Sequence, residues 1–174
     1  GFKNFEANSY TGIEIIKNLK CSRFLGIEFT VLNHLAADFF YLKGIKSLYA
    51  SMESDISAIK ALSNFTSGSI ECLVFGRIKL FISRVDSGNF RKGSFFIDKY
   101  KTGIECFKER SLSYFVSETP LSFIDAKLKK ENIGFDSLTA DLRYFDNPAK
   151  ILNNIINNKY NSSNSSQFNL LRKL

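Results

Sequence analysis

The stretch Lys46-Ser-Leu-Tyr-Ala50, followed by Ile56, Ile59 and Leu62 and then by Ile70-Glu-Cys-Leu-Val-Phe75, decides the fold. Its first and last pieces are short, rich in residues that suit a pleated surface, and read as strands. Between them apolar residues recur at the spacing of one helix face. Strand, helix and strand in that order make a parallel βα unit. The rhythm extends upstream. Phe2 to Ala7 and Phe24 to Thr30 read as strands, and Ile13, Ile16 and Leu19 share a helical face behind the capping-box spacing of Thr11-Gly-Ile-Glu14. Asn33 can cap a helix with Leu35, Ala36, Phe39 and Phe40 along one stripe, which Gly44 ends.

Downstream the character changes. Ile78 to Ser83 is strand-like, and Asp86 to Gly93 is polar and turn-rich. Phe95 to Tyr100 and Ile104 to Lys108 flank Lys101-Thr-Gly103 as a β-hairpin would, and Ser113 to Val116 is a further strand. Thr119-Pro120 predicts a helix start, with Leu121, Ile124 and Leu128 buried and Gly134 closing it. Ser137 to Leu142 is a last strand. Asn147-Pro148 opens a last helix, with Ile151, Leu152, Ile155 and Ile156 inward. The expected fold class is α/β: a partial TIM-type (β/α) barrel of about five parallel strands with helices, plus an antiparallel hairpin insert. The expected organisation is one domain, with βα units over 1–85, insert and closing unit over 86–160, and a polar tail over 161–174.

Length and composition bound the function. A chain of 174 residues, 44% hydrophobic and 24% charged, is one domain with a real core rather than a disordered segment. Even a whole (β/α)8 barrel usually needs about 250 residues, so there is room for only part of one. A half-barrel exposes two sheet edges, which invites a homodimer or a partner chain. The chain begins at Gly1 without an initiating methionine, so a piece of a longer protein is expected. No run of 18 apolar residues and no charged-then-apolar leader is present, so neither a membrane span nor a signal peptide is expected. Cys21, Cys72 and Cys106 lack metal-binding spacing and suggest reduced thiols in a cytoplasmic protein, with no metal or cofactor expected. The net charge of +7 permits RNA contact, but apart from Lys127, Lys129, Lys130 and the Arg172-Lys173 tail the basic residues are scattered.

Several pieces carry a resemblance. Val31-Leu-Asn33 before a helix, Gly44 to Glu53 with its Ser-x-Glu ending, Glu71-Cys-Leu-Val-Phe-Gly76-Arg77 and Ile82-Ser83-Arg84 occur in the order and spacing of the collagenase-like peptidase family U-32. Phe96-Ile-Asp98 and Leu138-Thr-Ala-Asp141-Leu-Arg143 continue the likeness, over roughly residues 27 to 158. The resemblance implies the second half of a βα barrel and a peptidase acting on a peptide or protein substrate. Other members assist hydroxylation of RNA or quinone precursors and hold an iron–sulfur cluster on cysteines after the Gly-Arg signature. This chain departs there, with no cysteine between Gly76-Arg77 and Cys106.

The resemblance marks Glu53, Arg77 and Glu71 as candidate catalytic residues, Glu53 and Arg77 also by their place at strand ends, and Asn33, Ser51, Arg84 and Arg143 as candidate substrate-binding residues. Glu53 reads as a general acid or base or a metal ligand, or else as a carboxylate at a helix N-terminus. Arg77 reads as a fork for an anionic group or peptide terminus, or as the partner of Glu53 or Glu71 in an ion pair. Glu71, near the start of its strand, reads as a structural salt-bridge residue more readily than as a catalytic one. His34 reads as a capping or surface residue. Cys72 alternates to the strand face opposite Glu71. Asp98 and Asp141 are candidate ligands, and Asp141 shares a face with Arg143 and can pair with it. The rival to a peptidase is a non-catalytic binding or assembly module that completes its barrel with another chain, or an RNA-modification accessory protein.

Overall fold

A computed structural model describes residues 1–85, 93–99, 103–123, 134–157 and 159–160. They divide into two compact units, 1–74 with 134–139 and 75–123 with 140–160. In chain order the elements are β1 (Asn4–Ala7), α1 (Tyr10–Ile16), β2 (Ser22–Leu25), α2 (His34–Leu42), β3 (Ile45–Tyr49), α3 (Ile56–Phe65) and β4 (Ser69–Gly76). There follow β5 (Lys79–Ser83), β6 (Phe95–Ile97), β7 (Gly103–Glu109), β8 (Leu112–Ser117), β9 (Leu121–Ser122), β10 (Ser137–Asp141) and α4 (Pro148–Ile156).

The protein is mixed α/β. One sheet has the order β1-β2-β3-β4-β10, and β1 to β4 are parallel neighbours in sequence order. The N–H of Asp136 bonds the carbonyl of Ile70, and Asp141 lies against Gly76, so β10 runs alongside β4 in the same direction. That makes five parallel strands, as expected. The described strands do not close into a barrel. Successive right-handed crossovers with sequential strand order put α1, α2 and α3 on one face of the sheet. The side chains on that face are Ala7, Leu25, Leu48 and Ile70, all buried, and the helices bury Ile16, Ala37, Phe40, Ile59 and Leu62.

Helix boundaries follow local caps. Ser9 caps α1, its Oγ accepting from Gly12 N–H at 3.1 Å, so the helix starts two residues before the spacing of Thr11 predicts. Asn33 caps α2 by accepting from Ala36 N–H at 2.9 Å. Gly44 ends it with φ +81°, a conformation that costs a side chain but not glycine. The strand expected to run to Thr30 stops at Leu25, because a turn from Gly26 to Phe29 follows, closed by the Phe29 N–H on the Gly26 carbonyl.

In the second unit the insert is larger than a hairpin. Strands β5-β8-β7-β6 form an antiparallel sheet of four, and the expected pairing of β6 with β7 is its outer hairpin. Ile104, Cys106 and Phe115 are its buried cluster, with Phe96 against them. The helix expected from Thr119-Pro120 is corrected at its start. Leu121 and Ser122 are extended and pair antiparallel with Gly76 and Phe75, which buries Leu121 completely. Ile124, Leu128 and the three lysines Lys127, Lys129 and Lys130 lie outside the described residues, as do 86–92 and 161–174. Helix α4 begins as expected, with Asn147 Oδ1 accepting from Lys150 N–H at 3.0 Å and proline in the first turn. Its stripe is not inward: Leu152 and Ile156 are exposed, and Ile151 and Ile155 are half-buried.

Candidate functional sites

Two clusters of polar side chains stand out, one in each unit. In the first unit, alternation along β3 and β4 sends Leu48, Ile70 and Cys72 toward the helices and Ser47, Tyr49 and Glu71 to the other face. Register pairs Tyr49 with Glu71. Ser47 Oγ donates to Glu71 Oε1 at 2.6 Å, and the Tyr49 and Thr139 hydroxyls share a hydrogen bond of 3.1 Å. Glu6 falls on the same face, because its register runs through Phe24 to Ser47. Burial and the charges of Glu71 and Glu6 raise the Tyr49 pKa above its ordinary value, against the opposing hydrogen bond with Thr139. Tyr49 therefore stays a neutral phenol that can donate. On the helix face Leu48, Ile70, Cys72 and Val74 are apolar, with Arg23 and Lys46 also on that side; the opposite face carries two carboxylates and three hydroxyls together with Phe24 and the buried Leu73 and Phe75.

In the second unit, Arg77 is held on three sides. Its Nε donates to the Ser117 carbonyl at 2.6 Å, and Nη1 donates to Glu105 Oε2 at 2.9 Å and the Tyr144 carbonyl at 3.0 Å. Its guanidinium carbon lies 5.4 Å from the centroid of the Phe107 ring. Its side chain is only 9% exposed, and Nη2 is buried with no hydrogen-bond partner. Gly76 permits this approach: a Cβ there would lie 3.0 Å from Cβ and 3.1 Å from the carbonyl oxygen of Asp141. Of the two readings of Arg77, the ion pair is what the structure contains, but with Glu105 instead of Glu53 or Glu71.

The other marked residues are dispersed. Glu71 and Arg77 belong to different units, each with its own partners. Glu53 is exposed, and its only hydrogen bond among the described residues is from its backbone N–H to Ser51 Oγ at 3.2 Å, so the buried Ser51 positions backbone. The helix-terminal role read for Glu53 falls to Asp55, which caps α3 at 2.8 Å from Ala58 N–H. That bond, with one from Ser57, lowers the Asp55 pKa. Asn33 is the cap of α2 already described. His34 opens that helix, with its ring 5.7 Å from that of Phe65. Cys72 faces the helices as alternation predicts, and burial pushes its pKa to about 12, which leaves it an inert thiol. Burial raises that of Cys106 as well; the three cysteines are free. Asp98 follows β6, and no cluster of three metal-ligating side chains occurs among the described residues. No described helix is long and apolar enough to cross a membrane.

Asp141 and Arg143 pair as their shared face predicts. Nε and Nη2 of Arg143 donate to Oδ1 and Oδ2 at 2.9 and 2.6 Å, and its backbone N–H adds a third bond of 3.1 Å. Burial alone would raise the Asp141 pKa, but these bonds and the positive charges of Arg143 and Lys79 outweigh it and hold the carboxyl below its usual range. A pKa lowered in the folded state stabilises above the unfolded value near 4 and is lost as pH falls through the folded one. Because Arg143 is more than half exposed, Arg143→Ala is expected to cost only about 0.5–1 kcal/mol at pH 7. Urea titrations at pH 7 and pH 3 check this: the difference from the parent should be smaller at the lower pH.

Sequence reading missed Tyr49, Ser47 and Thr139 as members of one row, and Glu105 as the partner of Arg77. The signal for the row was present as the alternation of Ser47 and Tyr49 around Leu48. For Glu105 there was none, since 28 residues separate it from Arg77. No protein-family model, curated protein or solved structure matches the chain.

Proposed function

We propose that the first unit is a segment of a βα barrel, and that the protein is a binding module whose polar sheet face becomes an enclosed site when a second copy of the chain pairs with β1. One observation carries this reading: Ser47, Tyr49, Glu71 and Thr139 lie together on the face away from the helices, and Glu6 on the edge strand shares that face beyond Phe24. A row of carboxylates and hydroxyls has no place in a dry core, and suits a site lined by hydrogen-bonding groups. The edge is available for pairing. Lys3 and Ala7 turn their carbonyls to β2, so the intervening Asn4 and Glu6 turn their backbone groups outward.

Hydrolysis of peptides, implied by the resemblance to the U-32 family, is the second reading. The 2.6 Å bond from Ser47 favours it, because it fixes the Glu71 carboxylate beside Tyr49 in an orientation from which it can act on water. Residues Glu53 and Arg77 have no part in that version of the site.

Light scattering after size exclusion, over a range of concentrations, tests assembly. The parent chain is expected to exceed monomeric mass as concentration rises. Asn4→Pro, which removes an outward N–H but no β1–β2 bond, is expected to stay monomeric with an unchanged circular dichroism spectrum. A parent chain that stays monomeric throughout, or an Asn4→Pro variant that assembles equally well, overturns the module reading. Gelatin cleavage confined to assembled samples and lost in Glu71→Gln supports the peptidase reading.

A further inference from the structure

The second unit carries a separate feature at the turn between β7 and β8. A cavity of about 530 Å3 is lined there by Arg84, Glu109, Arg110, Ser111, Leu112 and Tyr114. That volume is within the range of small-ligand sites. We propose that this cavity binds the phosphate monoester group of a small molecule.

Register explains how the lining converges. Tyr114 pairs with Ile82 on one side and Phe107 on the other, and Glu109 pairs with Leu112. Alternation then brings Arg84, two residues past Ile82, onto the face of Leu112 and Tyr114. Arg110 and Ser111 form the two-residue connection that closes the end of the cavity.

The connection itself singles out Arg110. It is the first of the two loop residues and has φ +54°, the only positive φ among described residues other than glycine. A two-residue hairpin loop with positive φ at its first position only is the kind that favours glycine there. An arginine in this place sacrifices backbone ease and gains a guanidinium at the cavity mouth.

The charges are also uncommitted. Arg77 and Arg143 each hold a carboxylate, whereas the exposed guanidinium groups of Arg84 and Arg110 have no hydrogen bond or ion pair among the described residues. Glu109 lines the same cavity and bonds to neither, which leaves two arginines against one glutamate. The Ser111 hydroxyl adds a neutral donor. Planar forks match a tetrahedral oxyanion, and a phosphate monoester brings nearly two charges and three acceptor oxygens at neutral pH. A carboxylate would offer one charge and two oxygens to the same donors.

Calorimetric titration of the whole chain at low salt, with ribose 5-phosphate, inorganic phosphate and ribose as probes, tests the site. Ribose 5-phosphate is expected to bind with a Kd on the order of 0.1–1 mM and ribose not at all. Inorganic phosphate is expected to bind more weakly than the ester, which separates a monoester site from a simple anion site. Arg84→Gln and Arg110→Gly should each weaken binding about tenfold or more. Arg110→Gly should do so with an equal or higher melting temperature, since glycine is at ease with positive φ, so lost binding cannot be lost folding. The proposal is overturned by no heat with 10 mM ribose 5-phosphate, or by undiminished binding in both variants. It is equally overturned if inorganic phosphate matches the ester, or if oligouridylate binds with an affinity that climbs with its length.

Discussion

Arg77→Ala is expected to destabilise the second unit by about 3 kcal/mol. The substitution removes four contacts at once: the bonds to the Ser117 carbonyl, Glu105 and the Tyr144 carbonyl, and the packing on Phe107. It leaves two backbone carbonyls and a two-thirds-buried carboxylate without their donor. Breaking a buried ion pair from one side typically costs about 3–5 kcal/mol. The lower end applies because Glu105 keeps some contact with water. Against a total stability of roughly 5–15 kcal/mol, that is a large share. Arg77→Lys should recover only part, since an ammonium cannot reach three acceptors in one plane. Urea unfolding followed by tyrosine fluorescence measures both, since the chain has seven tyrosines and no tryptophan. A residue kept free for an anionic substrate would behave in the opposite way, with alanine leaving stability intact. Unchanged stability in Arg77→Ala would restore the substrate-binding reading.

How far the sequence was legible depends on the range over which the deciding contact acts. The parallel order of β1 to β4 came from the local rhythm of strand and helix, and each turn of that rhythm buries its own apolar stripe. The pairing of Asp141 with Arg143 was legible because two residues on one strand share a face. The start of α1 was misplaced by two residues because Ser9 and Thr11 both suit a cap, and only the extended backbone at Ser9 decides between them. Thr119-Pro120 looked like a helix start, yet Leu121 gains complete burial beside Gly76, and that tertiary contact overrides the local signal. Arg77 was legible as a special position, but its partner was not: Glu105 reaches it only through the antiparallel sheet, whose register no local pattern fixes. Arg84 was noted only through the family-like run Ile82-Ser83-Arg84. Arg110, which shares the cavity with it, carries no sequence signal beyond an arginine where the turn favours glycine.

Leu48→Ala and Ser47→Ala, neighbours on β3, are expected to differ by about 2 kcal/mol or more, and that difference tests which sheet face is core. Leu48 has 0% exposure, pairs in register with Ile70, and lies on the face that receives Ala37 and Phe40 of α2. Removing three carbons from such a place costs the transfer free energy of the side chain and leaves a cavity, about 3–4 kcal/mol together. Ser47 is buried too, but its value lies in one hydrogen bond to a partly buried Glu71, which can turn to water when the hydroxyl is gone. Its loss should cost about 1 kcal/mol. Thermal and urea unfolding of the two variants give the comparison. Similar large costs would mean that the row of hydroxyls and carboxylates is part of the folding core, and the proposed binding face would then have no free donors to offer. A small cost at Ser47 beside a large one at Leu48 means that the fold can spare the polar row. Polar side chains that folding can spare, yet that are held in fixed geometry by a rigid parallel sheet, are the ones a ligand or partner can use.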